Sequence, residues 1–282
     1  MPRVTLSNPD KVLFPADGIT KADLAAYYEA VAPAMLPHVR KRPLNLWRWN
    51  AGIERQRVVQ QEIPKGAPEW VHRVNVPRRK DDGEVTHAMA DDADTLRWLA
   101  QVNCITPHVW TSRADRLDRP DRMIFDFDPP DEGADFGHIR EGALAMGELL
   151  RELGREPYAM TSGSRGIHVV APLRRTAVHD VVRERAREIA EELASRHPKR
   201  LTTEWRKAKR EGRILIDTAR NTYAQTTVAP YAVRARPGAP VATPLRWEEL
   251  EDPELRADSF TLASAPARVE RDGDPWAAIG HG

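Results

Sequence analysis

Asp126 and Asp128 stand two residues apart at the end of the apolar stretch RMIFDFD (122–128). Side chains alternate along a strand, so Met123, Phe125 and Phe127 share one face while Ile124, Asp126 and Asp128 share the other. Pro129 and Pro130 then remove two backbone donors and stop the ladder, which leaves the acids at an edge or cleft. Like charges this close repel, and a divalent cation offsets that cost. Asp217, the last residue of RILID (213–217), is a third acid ending an apolar strand. Three such carboxylates can hold two cations ~3.5–4 Å apart, one activating an attacking hydroxyl and the other neutralising a leaving group. That is phosphoryl-transfer chemistry.

A second set of residues suits phosphate. TSGSRGIHVV (161–170) places Gly163 and Gly166 around a turn with Ser162, Ser164 and Arg165. Backbone N–H groups in such a turn, with a guanidinium, make a phosphate cradle, although a G-x-x-G pair also serves as a plain hairpin turn. It is neither a Walker loop nor a G-x-S-x-G elbow. His168 alternates away from Ile167 and Val169, which fits a polar ring facing the site or a core histidine bonded to backbone. His108, in PHVWTSR, precedes Asp126 by eighteen residues. In YAVRARPG, Arg234 and Arg236 alternate onto one face of an expected strand (231–236), and paired guanidiniums there suit a triphosphate. Between Arg196 and Arg213 eight Lys/Arg face only Glu204 and Glu211, a surface able to track a phosphodiester backbone.

The elements that must position these groups are legible in part. The chain has 282 residues, 41% hydrophobic and 30% charged, enough for one large core or two moderate ones. Global disorder is excluded. No run of about 18 apolar residues occurs and the start lacks a secretory stretch, so a cytoplasmic protein without a membrane partner is expected. Cys104 is the only cysteine, which excludes an intrachain disulfide and a cysteine-rich metal site. A net charge of +1 gives no case for nucleic acid; the distribution of charge must carry it.

Periodicity predicts helices at about 20–32, 91–102, 139–153 and 178–196. Strands are expected at 42–50, 71–77, 122–128, 157–162, 167–173, 213–217 and 231–236. In the second half the order β-α-β-β-α-β-β predicts an α+β fold with a split βαβ sheet. The expected layout is one domain with an N-terminal α/β lobe (about 1–120), a catalytic sheet (121–252) and a closing segment (253–282).

Taken together, NPDKVLFP (8–15), RPLNLWRW (42–49), PKGAPEW (64–70), the H-x-W-x-S-R segment at 108–113, DFDPP (126–130), SGSRGIHV (162–169), ILID (214–217) and VRARPGAPVATPL (233–245) resemble one family. It is the primase-polymerase domain of bacterial ligase D, within the archaeo-eukaryotic primase superfamily. The resemblance implies a primase-like core with an RRM-like sheet and a template-dependent DNA repair polymerase that extends 3′ ends at gaps and breaks. It implies two divalent cations, Mn²⁺ preferred and Mg²⁺ possible, nucleoside triphosphates with ribonucleotides favoured, and Ku and a DNA ligase as partners at the nucleoid.

By position, Asp126, Asp128 and Asp217 correspond to the metal-binding catalytic set. His108, Ser162, Arg165, His168, Arg234 and Arg236 correspond to contacts with the incoming nucleotide. Asn8, Lys11 and Lys21 correspond to a pocket for a downstream 5′-phosphate, a dianion suited to two lysines and an amide. The chain departs from the pattern at Val58 and Val59, where many relatives carry paired phenylalanines that can stack on a template base. It departs also at Gln61 and in TARN after Asp217.

Two other classes share parts of this pattern. A phosphatase of the haloacid dehalogenase type also ends a strand in D-x-D and would use Asp126 as nucleophile and Asp128 as acid, but Pro130 stands where its motif has Thr or Val. A non-catalytic primase-like module would bind gapped DNA and recruit other factors.

Overall fold

The computed structural model describes residues 3–131 and 133–279. In chain order the strands and helices are β1 (Val12–Phe14), β2 (Ile19–Thr20), α1 (Lys21–Val39), β3 (Leu44–Arg48), β4 (Val58–Gln60), β5 (Arg73–Pro77), β6 (Glu84–Ala88), α2 (Ala93–Gln101), β7 (Cys104–Trp110), β8 (Ser112–Arg113) and β9 (Arg116–Pro120). Then follow β10 (Arg122–Asp128), α3 (Phe136–Glu152), β11 (Tyr158–Thr161), β12 (Ile167–Pro172), α4 (His179–Arg196), β13 (Leu201–Thr202), β14 (Ile214–Asp217), β15 (Thr226–Val228), β16 (Pro244–Leu245) and α5 (Ala265–Asp272). The chain forms two compact units. One runs to Leu117 and takes back Thr226–Ala242 and Phe260–Asp274; the other holds Asp118–Gln225, Thr243–Ser259 and the residues from Pro275. The segment after residue 253 is thus divided between the two.

The second unit is built on a sheet of order β13-β14-β10-β12-β11-β16. Its four central strands pair antiparallel throughout, with α3 crossing from β10 to β11 and α4 from β12 towards β14. This is the split βαβ arrangement. The apolar stripes of the helices, Ile139, Ala143, Met146 and Leu150 on α3 and Val182, Ala186, Ile189 and Leu193 on α4, are all buried. A Cβ on Gly142 would lie 3.1 Å from the Phe127 ring, so α3 seats closely on the phenylalanine face of β10. By alternation, Asp126 and Asp128 point to the opposite face.

In the first unit the sheet β15-β7-β3-β4 is antiparallel, with hairpins β1–β2 and β5–β6 beside it. Helix α1 opens on a capping box between Thr20 and Asp23 and packs against α2. It does not stop at Ala32 but continues to Val39 through Pro33 and Pro37. An interior proline costs about 3 kcal/mol, and burial of Val31, Met35, Leu36 and Val39 offsets it.

The expected strand at 231–236 does not form. Tyr231 has φ +65° and Val233 makes only an isolated bridge to Val241. The N–H of Arg234 donates to Pro240 O (2.7 Å) and that of Arg236 to Arg234 O (2.8 Å), so the segment is a tight loop. Arg234 and Arg236 are therefore not neighbours on a pleated face.

Candidate active site

The sheet register of the second unit brings the acids together. Asp126 on β10 lies opposite Asp217 on β14 and, on its other side, opposite His168 on β12. Asp126, Asp128 and Asp217 each offer a carboxylate oxygen, all within 4.8 Å of one another. Asp126 and Asp217 are each only 5% exposed. His168 Nε2 is 3.3 Å from Asp126 Oδ1, and Arg220 Nε is 3.6 Å from Asp126 Oδ2. The N–H of Ala219 donates to Asp217 Oδ1 at 2.7 Å.

Burial pushes the Asp128 carboxyl up to about 6, and the neighbouring charges of Asp126 and Asp217 add to it; His168 and Arg220 pull the other way without cancelling it. Asp217 is raised as well, chiefly by burial, despite the bond from Ala219. Desolvated, mutually repelling carboxylates are a hard oxygen donor set, which fits a divalent cation held by Asp126, Asp128 and Asp217.

The glycine turn packs against β10 where that strand carries two of the acids. Ser162 Oγ accepts from the N–H groups of Ser164 (3.3 Å), Arg165 (3.2 Å) and Gly166 (3.0 Å), so Ser162 holds the turn by converging its donors on itself. Arg165 is left exposed at the tip. Gly163 takes φ +62°, which glycine adopts freely. A Cβ on Gly166 would lie 2.1 Å from Phe127 O, the backbone between the two acids. Gly166→Ala is therefore expected to destabilise the protein by about 3 kcal/mol. Thermal unfolding reads this, and an unchanged midpoint would mean that the turn relaxes away from β10.

Two residues at the site, the last two of TARN, are given no role by the sequence. Arg220 sets a guanidinium beside Asp126 from the 3₁₀ turn after β14. Asn221, fully buried, accepts from the N–H of Ile124 and donates Nδ2 to Ile124 O, both at 2.8 Å, and so clamps β10 two residues before Asp126. The only sequence signal was their place directly after the third acid.

The remaining expected residues belong to the first unit. His108, buried on β7, stacks on Trp47 with ring centroids 3.7 Å apart. The Arg57 guanidinium lies 3.9 Å from the centroid of the same Trp47 ring. Arg234 and Arg236 sit in the loop described above. Asn8, Lys11 and Lys21 come together through the chain: the N–H of Lys11 donates to Asn8 O and that of Lys21 to Lys11 O. Lys21 is 3% exposed, and its Nζ donates to Ser7 O (2.9 Å) and Gln101 O (3.2 Å). No carboxylate pairs with it among the described residues; burial, then Lys11, lowers its pKa.

Three clustered carboxylates on the helix-free face of a split βαβ sheet are the acid set that two-metal phosphoryl transfer requires, while the glycine turn beside them spends its N–H donors on Ser162 and is no open phosphate cradle. The family described as LigD, primase-polymerase domain, matches residues 20–276, and the chain belongs to it. The multifunctional non-homologous end joining protein LigD of Mycobacterium bovis is 35% identical over 280 residues, covering 96% of this chain and 36% of the relative. The LigD of Pseudomonas aeruginosa is 32% identical over 276 residues, 97% of this chain and 32% of the relative. The polymerase domain from Mycobacterium tuberculosis Ligase D, solved in complex with DNA, superposes with a TM-score of 0.92 at 33% identity and covers 99% of this chain and 98% of that one. The chain spans about a third of the length of the curated relatives it matches. This membership leaves the phosphatase reading without support. Among the described residues, no helix is long and apolar enough to cross a membrane.

Proposed function

We propose that the chain is a template-dependent repair polymerase that fills short gaps or extends ends at DNA breaks, using nucleoside triphosphates and favouring ribonucleotides. The observation that carries this is the convergence of Asp126, Asp128 and Asp217 within 4.8 Å, in a chain whose fold matches a polymerase domain solved with DNA. Asp126, Asp128 and Asp217 would hold two divalent cations, Mn²⁺ in preference to Mg²⁺. When bound, these supply charge neutralisation at the phosphates and acidify the attacking hydroxyl. His168 and Arg220 steady the charge on Asp126, and Ser162 holds the turn that presents Arg165 to phosphate. His108, Arg234 and Arg236 are assigned to the nucleotide by their motifs. Ku and a DNA ligase are the proposed partners, in the cytoplasm at the nucleoid.

Asn8, Lys11 and Lys21 form the proposed site for a downstream 5′-phosphate. A buried ammonium bonded to carbonyls alone has its charge uncompensated, and a phosphate dianion supplies what is missing. Lys11→Ala is expected to weaken binding to gaps bearing a 5′-phosphate roughly tenfold, the scale of a lost charge-assisted bond, and to spare unphosphorylated gaps. Equal losses on both would remove the pocket.

The test of the whole reading is incubation with short-gapped DNA, with and without a 5′-phosphate, in Mn²⁺ or Mg²⁺ with ribo- or deoxyribonucleotides. Templated, metal-dependent extension is expected. Tight phosphate-dependent binding without extension would make the protein a recruitment module.

A further inference from the structure

The basic run between β13 and β14 has no part in the nucleotide chemistry above, yet it carries the most exposed large hydrophobic side chain described. Trp205 is 65% exposed. Its backbone is not loose: Arg210 Nη2 donates to Trp205 O (2.9 Å) and Arg210 Nε to Glu204 O (3.2 Å). The N–H of Glu204 is taken by Thr202 Oγ1 (3.1 Å), and that of Arg206 by Glu204 Oε1 (2.8 Å). A single 3₁₀ turn, Lys207–Lys209, follows. The indole is thus presented to water by a braced loop rather than by a wandering one.

Arg210 spends its guanidinium on backbone carbonyls and Lys199 stands before β13; the other six basic residues of the run divide into two groups. Arg196, Arg200 and Arg213 pair with Glu152 and Glu192, with Glu141, and with Glu211. Arg206, Lys207 and Lys209 are exposed, and no carboxylate pairs with them among the described residues. One free aromatic face flanked by three uncompensated cations is the composition of a single-strand platform: bases stack on the ring and backbone phosphates meet the cations. A duplex offers the same phosphates but keeps its base faces stacked. The loop rejoins the sheet at Ile214, one residue before Leu215, which lies opposite Asp128.

We propose that Trp205, with Arg206, Lys207 and Lys209, binds the single-stranded portion of a DNA end by stacking one unpaired base on the indole. The platform rests on the polymerase reading for its substrate, not for its chemistry.

Anisotropy of labelled DNA, in EDTA and without nucleotide, separates the two. One duplex is blunt and the other carries a single-stranded overhang. Trp205→Ala is expected to weaken overhang binding about tenfold, to change blunt binding less than about twofold, and to keep the wild-type unfolding midpoint. Trp205→Phe should recover most of the loss. The double variant Lys207→Ala with Lys209→Ala should lower the slope of log affinity against log salt by about 1.4 on the overhang, at about 0.7 per phosphate. Wild-type affinity of Trp205→Ala for the overhang, or an equal loss on blunt DNA, overturns the platform alone. Failure of the wild-type protein to bind either DNA overturns the platform and the polymerase reading together.

Discussion

Asp126→Asn is expected to reduce nucleotide incorporation by at least about 10³-fold while changing DNA affinity less than about twofold. Asp126 is the hub of the cluster: it faces Asp217 across one strand boundary and His168 across the other, and its two oxygens meet His168 and Arg220. Replacing its charge by an amide keeps the shape of β10 but removes the central anion of the proposed metal-holding set. Metal-type stabilisation of a phosphoryl transition state is worth several kcal/mol, and about 4 kcal/mol corresponds to a factor near 10³. The fold should survive, because the substitution relieves repulsion among desolvated carboxylates. Single-turnover extension on gapped DNA, beside anisotropy on the same substrate, checks this. Extension within tenfold of wild type would mean that the chemistry lies elsewhere.

The acids were legible because they rest on local physics. Alternation in RMIFDFD sorts phenylalanines from aspartates, and two prolines end the ladder after Asp128, so β10 forms at the expected residues. The first six elements of the expected β-α-β-β-α-β-β order likewise follow from period and punctuation, and the sheet has that topology, while the seventh, the strand at 231–236, does not form. The placing of His168 directly opposite Asp126 was not legible, since it depends on which strands become neighbours and in what register.

Arg220 and Asn221 were missed for a related reason: their roles come from a 3₁₀ turn that folds back on β10, and no periodic pattern records such a turn. At 231–236 the alternation was present but misleading. A left-handed Tyr231, fixed in the core with its hydroxyl on Asp274 (2.7 Å), turns the chain before a ladder can form. Helix α1 shows the converse, where burial outweighs two prolines that local rules treat as a stop.

The desolvated acids also make stability depend on pH and on metal in a defined direction. The Asp128 carboxyl is raised to about 6 in the folded protein, against about 3.9 when unfolded. Below about pH 4 both states hold the proton and the group contributes no penalty. As pH climbs from there through 6, the unfolded chain ionises first, so the metal-free protein loses stability over that window and stays at the lower level above it. Asp217, raised too, acts in the same sense.

A divalent cation at the proposed site would reverse this, because it would bind the ionised carboxylates of the folded state and would have to displace protons below pH 6. At a hundred times its dissociation constant it stabilises by about 2.7 kcal/mol, which corresponds to a rise in Tm of roughly 5 °C or more. Mn²⁺ should therefore raise the wild-type Tm by about that amount at pH 7.5 and by half or less at pH 5. Asp128→Asn removes the penalty without the cation, so at pH 7.5 it should start above wild type in EDTA and gain little from Mn²⁺. The comparison of variant with wild type cancels the titrating groups that do not interact with Asp128; Asp126 and Asp217, which do, are relieved in the same direction. Equal Mn²⁺ shifts at both pH values, or the same shift in wild type and Asp128→Asn, would place the cation away from these carboxylates.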